Sequence, residues 1–189
     1  MKNRKNSLIK ILSEIKDIRR DEGKRHSIEI VLLVVIFATM SGYNGYRAIG
    51  DFIKRNKKDL IMYLKPKKNR MFSYSTVRRV MIGIDFNDFT EKFYQWTKDY
   101  VEIKEGEWIS IDGKAIKGTL ENKQNEKQSF TNLVSVFCSK RKMVYNAGKI
   151  ENSKESEIPK VKELIEMLDL EGVVFTMDAL HCQKKLQKL

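Results

Sequence analysis

The spacing of apolar residues changes near residue 103, and this change limits the fold more than any other feature of the sequence. From residue 8 to residue 100, apolar side chains recur every three or four positions, as on one face of a helix. After residues 104–107 (KEGE) they recur every second position, as in strands. The chain has 189 residues, enough for one domain or two small ones. We predict an α+β protein with an all-α domain at residues 1–103 and an α/β domain at residues 104–189.

The first region predicts several short helices. Ser27 is a candidate N-cap for the apolar run at residues 30–40, which is shorter than the ~20 residues of a membrane-spanning helix and is expected to be buried. The turn at residues 41–45 contains two glycines, which favour a break between helices. The apolar face of the first helix is formed by Leu8, Ile11, Leu12 and Ile15. The apolar face of the helix after the turn is formed by Tyr46, Ile49, Phe52 and Ile53.

A basic loop and a short helix within this region suggest contact with DNA. Residues 65–70 (KPKKNR) precede Ser73 and Ser75, either of which could cap a helix. That helix would hold Val77 and Val80 inward and point Arg78 and Arg79 outward, as in the second helix of a helix-turn-helix motif. The alternative is a solvated helix whose arginines cover their own apolar stems. A further helix, capped by Asp85 or Asn87, would bury the aromatic residues Phe89, Phe93 and Trp96.

The second region predicts strands and helices in a fixed order. Strands are expected at residues 108–116, 130–139, 143–150 and 173–177, the last of them buried on both faces, and helices at residues 156–168 and from residue 179. Residues 118–129 are polar and predict a loop. The order β-β-β-α-β-α is that of a ribonuclease-H-like fold, here incomplete, in which the fourth strand lies beside the first and parallel to it.

Two aspartates fall on those two neighbouring strands. Asp112 lies within the first strand and Asp178 directly after the fourth. Two carboxylates that close repel each other unless a divalent cation lies between them, and Mg²⁺ is a hard ion that binds through a few carboxylates and water. Two such ions about 4 Å apart can support phosphodiester displacement. Taken singly, Asp112 could instead be a turn aspartate before Gly113, and Asp178 a helix N-cap.

The net charge favours nucleic acid as a partner. The chain has 37 Lys and Arg against 25 Asp and Glu, a surplus of 12 positive charges that attracts polyanions. A lysine-biased genome would give the same surplus, so charge alone leaves both interpretations open. The spacing of the two cysteines, Cys138 and Cys182, and of the two histidines, His26 and His181, predicts neither a structural zinc site nor a disulfide framework. We expect a cytoplasmic protein that does not enter a membrane.

Several segments resemble one family of mobile-element proteins. Residues 111–118 (IDGKAIKG) and 176–183 (TMDALHCQ) are similar to the two signature segments of the ISAs-type insertion-sequence transposases, also known as H-repeat-associated proteins. The helical stretches at residues 15–52 and 74–85 (YSTVRRVMIGID) resemble that family's N-terminal region. The resemblance extends over nearly the whole chain from about Leu8 onward.

The resemblance implies a DDE-type transposase that acts on the ends of its own element with Mg²⁺ or Mn²⁺. It also implies association with the nucleoid and is compatible with a homo-oligomer. Asp112 and Asp178 match the first two acidic positions and would be the catalytic, metal-holding residues. Lys114, Lys117 and His181 could contact phosphates, with solvated lysines and a structural histidine as alternatives.

The sequence also departs from the family pattern. Ser156 stands where the family usually has asparagine, so Glu157 could equally be a first-turn glutamate favoured by the helix dipole. Family members continue beyond the second signature and supply a third acidic residue, whereas this chain stops at Leu189. We therefore expect a truncated copy that does not cleave DNA alone. The alternatives are a DNA-binding remnant that occludes the element ends without catalysis, and an unstable relic without function.

Overall fold

The computed structural model of the chain describes residues 7–100, 103–121, 129–140, 142–151, 157–168 and 170–177. Two compact units result, Met1–Trp96 and Thr97–Leu189. The predicted domain boundary between residues 103 and 104 lies close to this division. That the two parts are separate folding domains stays a prediction.

The described part of the first unit is helical, as its apolar spacing predicts. Its helices are α1 (Leu8–Ser13), α2 (Ile28–Met40), α3 (Tyr46–Arg55), α4 (Lys57–Leu64), α5 (Tyr74–Gly83) and α6 (Phe86–Lys98), the last of which reaches into the second unit. The three-to-four spacing places one side chain per turn in a common core, which contains Leu12, Val31, Ile49, Leu60 and Val77.

The breaks between these helices follow the residues that cannot continue them. Gly42 and Gly45 have φ values of 84° and 90°, the left-handed region that glycine enters at little cost. Ser27 lies at the N-cap position of α2, as predicted, although its side chain makes no capping hydrogen bond. The carboxylate of Asp85, rather than Asn87, caps α6 and accepts hydrogen bonds from the backbone N–H groups of Asn87 at 2.7 Å and Asp88 at 3.1 Å.

Helix α2 is apolar along its whole length, and much of it is buried. Val31, Val34 and Ala38 are fully enclosed, whereas Phe37 and Met40 are exposed to solvent. None of the helices in the described ranges has both the length and the apolar character needed to cross a bilayer.

The second unit contains a four-stranded mixed sheet in the part that the structure describes. Its elements are β1 (Trp108–Glu121), β2 (Ser129–Cys138), β3 (Met143–Glu151), α7 (Glu157–Leu168) and β4 (Val174–Met177). The strand order is β3-β2-β1-β4. Strand β2 pairs antiparallel with both β1 and β3, and β4 pairs parallel with β1. The predicted position of the fourth strand beside the first, and its direction, are confirmed.

One face of this sheet forms the core of the unit. The paired residues Ile109 and Cys138, and likewise Ile111 and Val136, are fully buried and lie on the same face by their register. Helix α7 covers this face, since Asn146 on β3 donates a hydrogen bond to Sδ of Met167 at 3.4 Å. Val161, Leu164 and Leu168 of α7 are buried, as their spacing predicts.

Two expectations for the strands are wrong. Strand β1 does not end at residue 116 but continues to Glu121, so residues 118–121 are not loop. The extension is held by β2, because Glu121 pairs with Ser129 and the N–H of Thr131 donates to Oγ1 of Thr119 at 2.8 Å. Strand β4 is not buried on both faces: Val174 is 41% exposed, because it lies with its exposed partner Trp108 on the face opposite to α7. The predicted helix from residue 179 lies outside the described residues.

Candidate acidic site and basic cleft

The first acidic candidate lies on β1, and the second follows the last residue of β4 in the sequence. In the register of β1 and β4, Ser110 lies opposite Thr176 and Ile111 opposite Met177. The hydroxyl groups of Ser110 and Thr176 are 2.7 Å apart, which fixes these two strands side by side. Their side chains share the face opposite to α7, because Ile109 and Ile111 point to the buried one.

Asp112 lies on this open face, two residues beyond Ser110, and is exposed. It is not a turn aspartate: Asp112 and Gly113 lie inside β1, where they pair with Ser135 and Val134. That alternative from the sequence is therefore wrong. Asp178 follows Met177 in the chain and lies outside the described residues. Within the described ranges, no group of three or more His, Cys, Asp or Glu side chains has a metal-binding arrangement.

The other sequence candidates of this unit fall partly within the structure. Lys114 is exposed on β1 and shares the face of Asp112, two residues away. Lys117 belongs to the backbone of β1, but its side chain is not among the parts described. His181 lies outside the described residues. The structure thus brings Asp112 and Lys114 to one surface.

In the first unit, a basic cleft of about 420 Å³ lies beside the N-terminus of α5. Its lining comes from residues 22–26, residues 67–73 and the first two turns of α5. Within the described chain, Glu22 is its single acidic lining residue. The basic and imidazole groups that line it are Arg25, His26, Lys67, Lys68, Arg70 and Arg79.

Helix α5 positions Arg79 in this lining. Val77 and Val80 point into the core and leave Arg78 and Arg79 exposed, as the sequence predicts. Ser73, not Ser75, is the N-cap residue. Its hydroxyl is 2.7 Å from the Ser75 hydroxyl and does not cap the helix N–H groups. Arg78 is not among the residues that line the cleft.

Arg19 holds the segment that carries Arg25 and His26. Its guanidinium donates to both carboxylate oxygens of Asp17, at 2.9 and 2.7 Å, and to the backbone carbonyl of His26 at 2.9 Å. The side chains of Arg19 and Asp17 are only 9% and 18% exposed. The hydrogen bond from Arg19 lowers the pKa of the Asp17 carboxyl below its ordinary value. This pair therefore fixes one wall of the cleft.

His26 lies partly buried in the cleft lining. Its ring meets Phe72 edge to face with 5.2 Å between ring centroids. Burial lowers the pKa of the imidazole, and the positive charges of Arg19, Arg70 and Arg25 lower it further. Its Nδ1 atom is buried and has no hydrogen-bond partner in the described part of the chain.

Sequence reasoning found the basic loop and Arg79 but missed the cleft. Arg25, His26, Lys68 and Arg70 belong to two separate basic turns, and the sequence contains no signal that these turns meet. The abundance of basic residues in both turns was the only signal available.

Comparison with known proteins agrees with the sequence resemblance. Residues 9–97 match the family model described as DDE_Tnp_1-associated. YncI of Escherichia coli K12, named as a candidate transposase, is 30% identical over 180 residues, which are 95% of this chain and 71% of YncI. YbfD of the same strain, named as an H repeat-associated candidate transposase, is 30% identical over 186 residues, 96% of this chain and 72% of YbfD.

Not all relatives are covered to this extent. YncI of E. coli O157:H7 is 31% identical over 180 residues, which are 95% of this chain but 45% of that protein. The chain thus spans slightly less than half of this relative and about seven tenths of the two described above. No solved structure gives a significant match. On its similarity to YncI and YbfD, the chain belongs to the family of H repeat-associated transposases.

Proposed function

We propose that this protein acts on DNA through a divalent cation held by Asp112 and Asp178, in a second unit of the ribonuclease-H-like kind. The reaction class is the cleavage and transfer of DNA strands at phosphodiester bonds. The observation that carries the proposal is the parallel pairing of β1 with β4, on which the two acidic positions depend. The names of the relatives YncI and YbfD support the same reaction class.

The register supports a common position for the two acids. Ile111 pairs with Met177, and Asp112 and Asp178 are the residues that follow these two in the chain. Because residues two apart on a strand share a face, an extended residue 178 would share the face of Thr176, as Asp112 shares that of Ser110. We therefore expect the two carboxylates to lie side by side on the open face of the sheet.

The described residues fit a hard cation. Asp112 is an exposed carboxylate on a strand that is paired on both sides, so its backbone position is fixed while its side chain is accessible. Mg²⁺ and Mn²⁺ prefer oxygen ligands and keep several of their waters, so two carboxylates are a sufficient protein contribution when phosphate oxygens add to them. A bound cation would neutralise charge on the phosphodiester group.

Lysines on the same strand would help to position DNA. Lys114 is exposed on the face of Asp112 and would pair with a phosphate next to the reacting one. Its ammonium group also reduces the repulsion between the DNA backbone and the acidic residues. For Lys117 and His181 a phosphate contact stays a prediction.

The first test is Mn²⁺ binding, measured by electron paramagnetic resonance and calorimetry. We expect Asp112→Asn and Asp178→Asn each to weaken binding at least about tenfold, because each removes a charged oxygen ligand. Asp59→Asn, which changes an exposed aspartate on α4, is the matched control and should bind as the unmodified protein does. Equal Mn²⁺ affinity in all three variants would disprove the metal site.

A second candidate function is DNA binding without catalysis, which the basic cleft of the first unit favours. A plasmid that carries the element ends distinguishes the two functions when it is incubated with the protein and Mn²⁺. Nicking that disappears in Asp112→Ala would support catalysis by this chain. Retention of end DNA without nicking in either protein would support the binding function, with occlusion of the ends as its consequence.

A further inference from the structure

The basic cleft adjoins a second cavity of about 530 Å³, and the two share part of their lining. Met71, Phe72 and Ser73 line both cavities, so the two are separated only by this stretch and the start of α5. The second cavity is also basic, with Arg47, Lys54 and Lys57 in its lining and Asp51 as its acidic residue. We call these two adjoining cavities the basic track, defined by their lining residues.

The cations of the track have few carboxylate partners. Lys54 pairs with Asp51 at 3.6 Å. For the other cations of the track, no ion pair is found with a carboxylate within the described ranges. Cations this close repel each other, and a bound polyanion would remove the repulsion and release condensed counterions.

The loop at residues 65–70, which carries three cations of the track, has an uncommon backbone conformation. Lys65, Lys68 and Asn69 have φ values of 44°, 117° and 46°, a region that residues with a β-carbon rarely enter. Such strain is tolerated where surrounding packing fixes it and is common at binding sites. Here Pro66 and Phe72 are buried on either side, which anchors the loop while Lys67, Lys68 and Arg70 stay exposed.

We propose that the basic track binds the sugar-phosphate backbone of double-stranded DNA, with phosphates of one strand in each of the two cavities. A single small anion would occupy one cavity only, whereas a strand that carries a charge on every nucleotide can place phosphates on both sides of residues 71–73. The first turn of α5, which has no side-chain cap, lies at this shared stretch and adds the positive end of the helix dipole. The track contacts the sugar-phosphate backbone of DNA, so it contributes to DNA affinity and not to the recognition of a base sequence.

This inference rests on the proposed function, because DNA is the substrate of that function. It adds a place of contact in the first unit, whereas Asp112 belongs to the second. It also assigns roles to Arg47 and Lys57, which the basic loop and the outward arginines of α5 did not suggest.

The experiment measures fluorescence anisotropy of a labelled 20-base-pair DNA duplex at several NaCl concentrations. One variant combines Lys68→Ala with Arg70→Ala in the basic cleft, and a second combines Arg47→Ala with Lys57→Ala in the adjoining cavity. The matched control combines Lys10→Ala with Lys16→Ala, which removes the same charge from exposed residues near α1. Circular dichroism checks that each variant is folded.

We expect each cavity variant to lower the slope of log affinity against log salt by about 1.8, since each phosphate contact contributes about 0.9. Affinity near 100 mM salt should fall at least about tenfold. The control should change the slope by less than about 0.5. Conversely, cavity variants that bind DNA as the control does would overturn the proposal. Binding of poly-glutamate or anionic phospholipid vesicles as tight as that of DNA would overturn it too.

Failure of this inference and failure of the proposed function give different results. Without a divalent cation, Asp112→Asn should not weaken DNA binding, because it removes a negative charge and leaves every residue of the track in place. If the cavity variants bind DNA normally while Asp112→Asn loses Mn²⁺, only the track is wrong. If the cavity variants lose DNA while Asp112→Asn keeps Mn²⁺, only the metal site is wrong.

Discussion

Replacing Arg19 by alanine should destabilise the first unit more than most changes of a charged residue. The guanidinium donates two hydrogen bonds to Asp17 and one to the carbonyl of His26. Its removal leaves a carboxylate whose side chain is only 18% exposed without a cationic partner, and a backbone carbonyl without this donor. Most exposed ion pairs contribute less than about 1 kcal/mol, and this one differs because it is largely buried.

The size of the effect follows from these contacts. A hydrogen bond to a charged group contributes about 1.5–3 kcal/mol and one between neutral groups about 1 kcal/mol, so the loss should be about 3 kcal/mol. Arg19→Lys keeps the positive charge but not the planar fork, and should recover roughly half of the loss. Urea unfolding followed by circular dichroism measures both values.

The pH dependence gives an independent check. The hydrogen bond from Arg19 lowers the pKa of Asp17 below its ordinary value of 3.8. The stability from this carboxylate is therefore fully present above that ordinary value and is lost as the pH falls through the lowered one. Arg19→Ala should lose less stability than the unmodified protein between pH 5 and pH 3. The reasoning is refuted if Arg19→Ala unfolds within about 0.5 kcal/mol of the unmodified protein at pH 7.

Two further predictions concern the first unit. Gly50→Ala should destabilise it by about 1–3 kcal/mol, because the added methyl group would lie 2.8 Å from Cβ of Tyr74. Gly23→Ala should be tolerated, because its methyl group would lie 3.7 Å from Cβ of Arg19. Thermal melting compares the two variants. Burial lowers the pKa of His26, so its contribution to stability is present above pH 6.5 and is lost as the pH falls through the lowered pKa. Between pH 7.5 and pH 5.5, the free energy of unfolding in urea should fall more for the unmodified protein than for His26→Gln. An equal fall in both proteins would contradict the assignment.

The helices of the first unit could be predicted because the pattern that defines them is local. Val77 and Val80 are three residues apart, which places both on one face, and the structure buries both. Ser73 and Ser75 could not be distinguished as N-caps from sequence alone, since both residue types are common there. Nor does the sequence reveal that Lys65, Lys68 and Asn69 in the preceding loop have positive φ values.

The sheet was predicted in order and direction but not in extent or burial. Polar residues at 118–121 favour a loop when read locally, yet the pairing with β2 keeps them in strand β1. The burial of β4 depends on what covers it, so an apolar sequence alone gave the wrong answer for Val174.

The two candidate sites differ in how far the sequence could predict them. Asp112 could be located because a strand pattern and a family motif coincide on it. The basic cleft could not, because Arg25, Lys68 and Arg79 come from three separate stretches of chain and meet only through packing. A cluster of this kind has no spacing in the sequence that would reveal it.

The hydrogen bond between Ser110 and Thr176 joins residues 66 positions apart, and this separation has a consequence for folding. Closing so long a stretch costs more chain entropy than forming the β1-β2-β3 meander, whose neighbours are joined by short connections. The meander should therefore assemble early and β4 should dock last. If Asp112 and Asp178 hold a cation as proposed, partly folded chains should have both acidic residues but no cation affinity until β4 has docked.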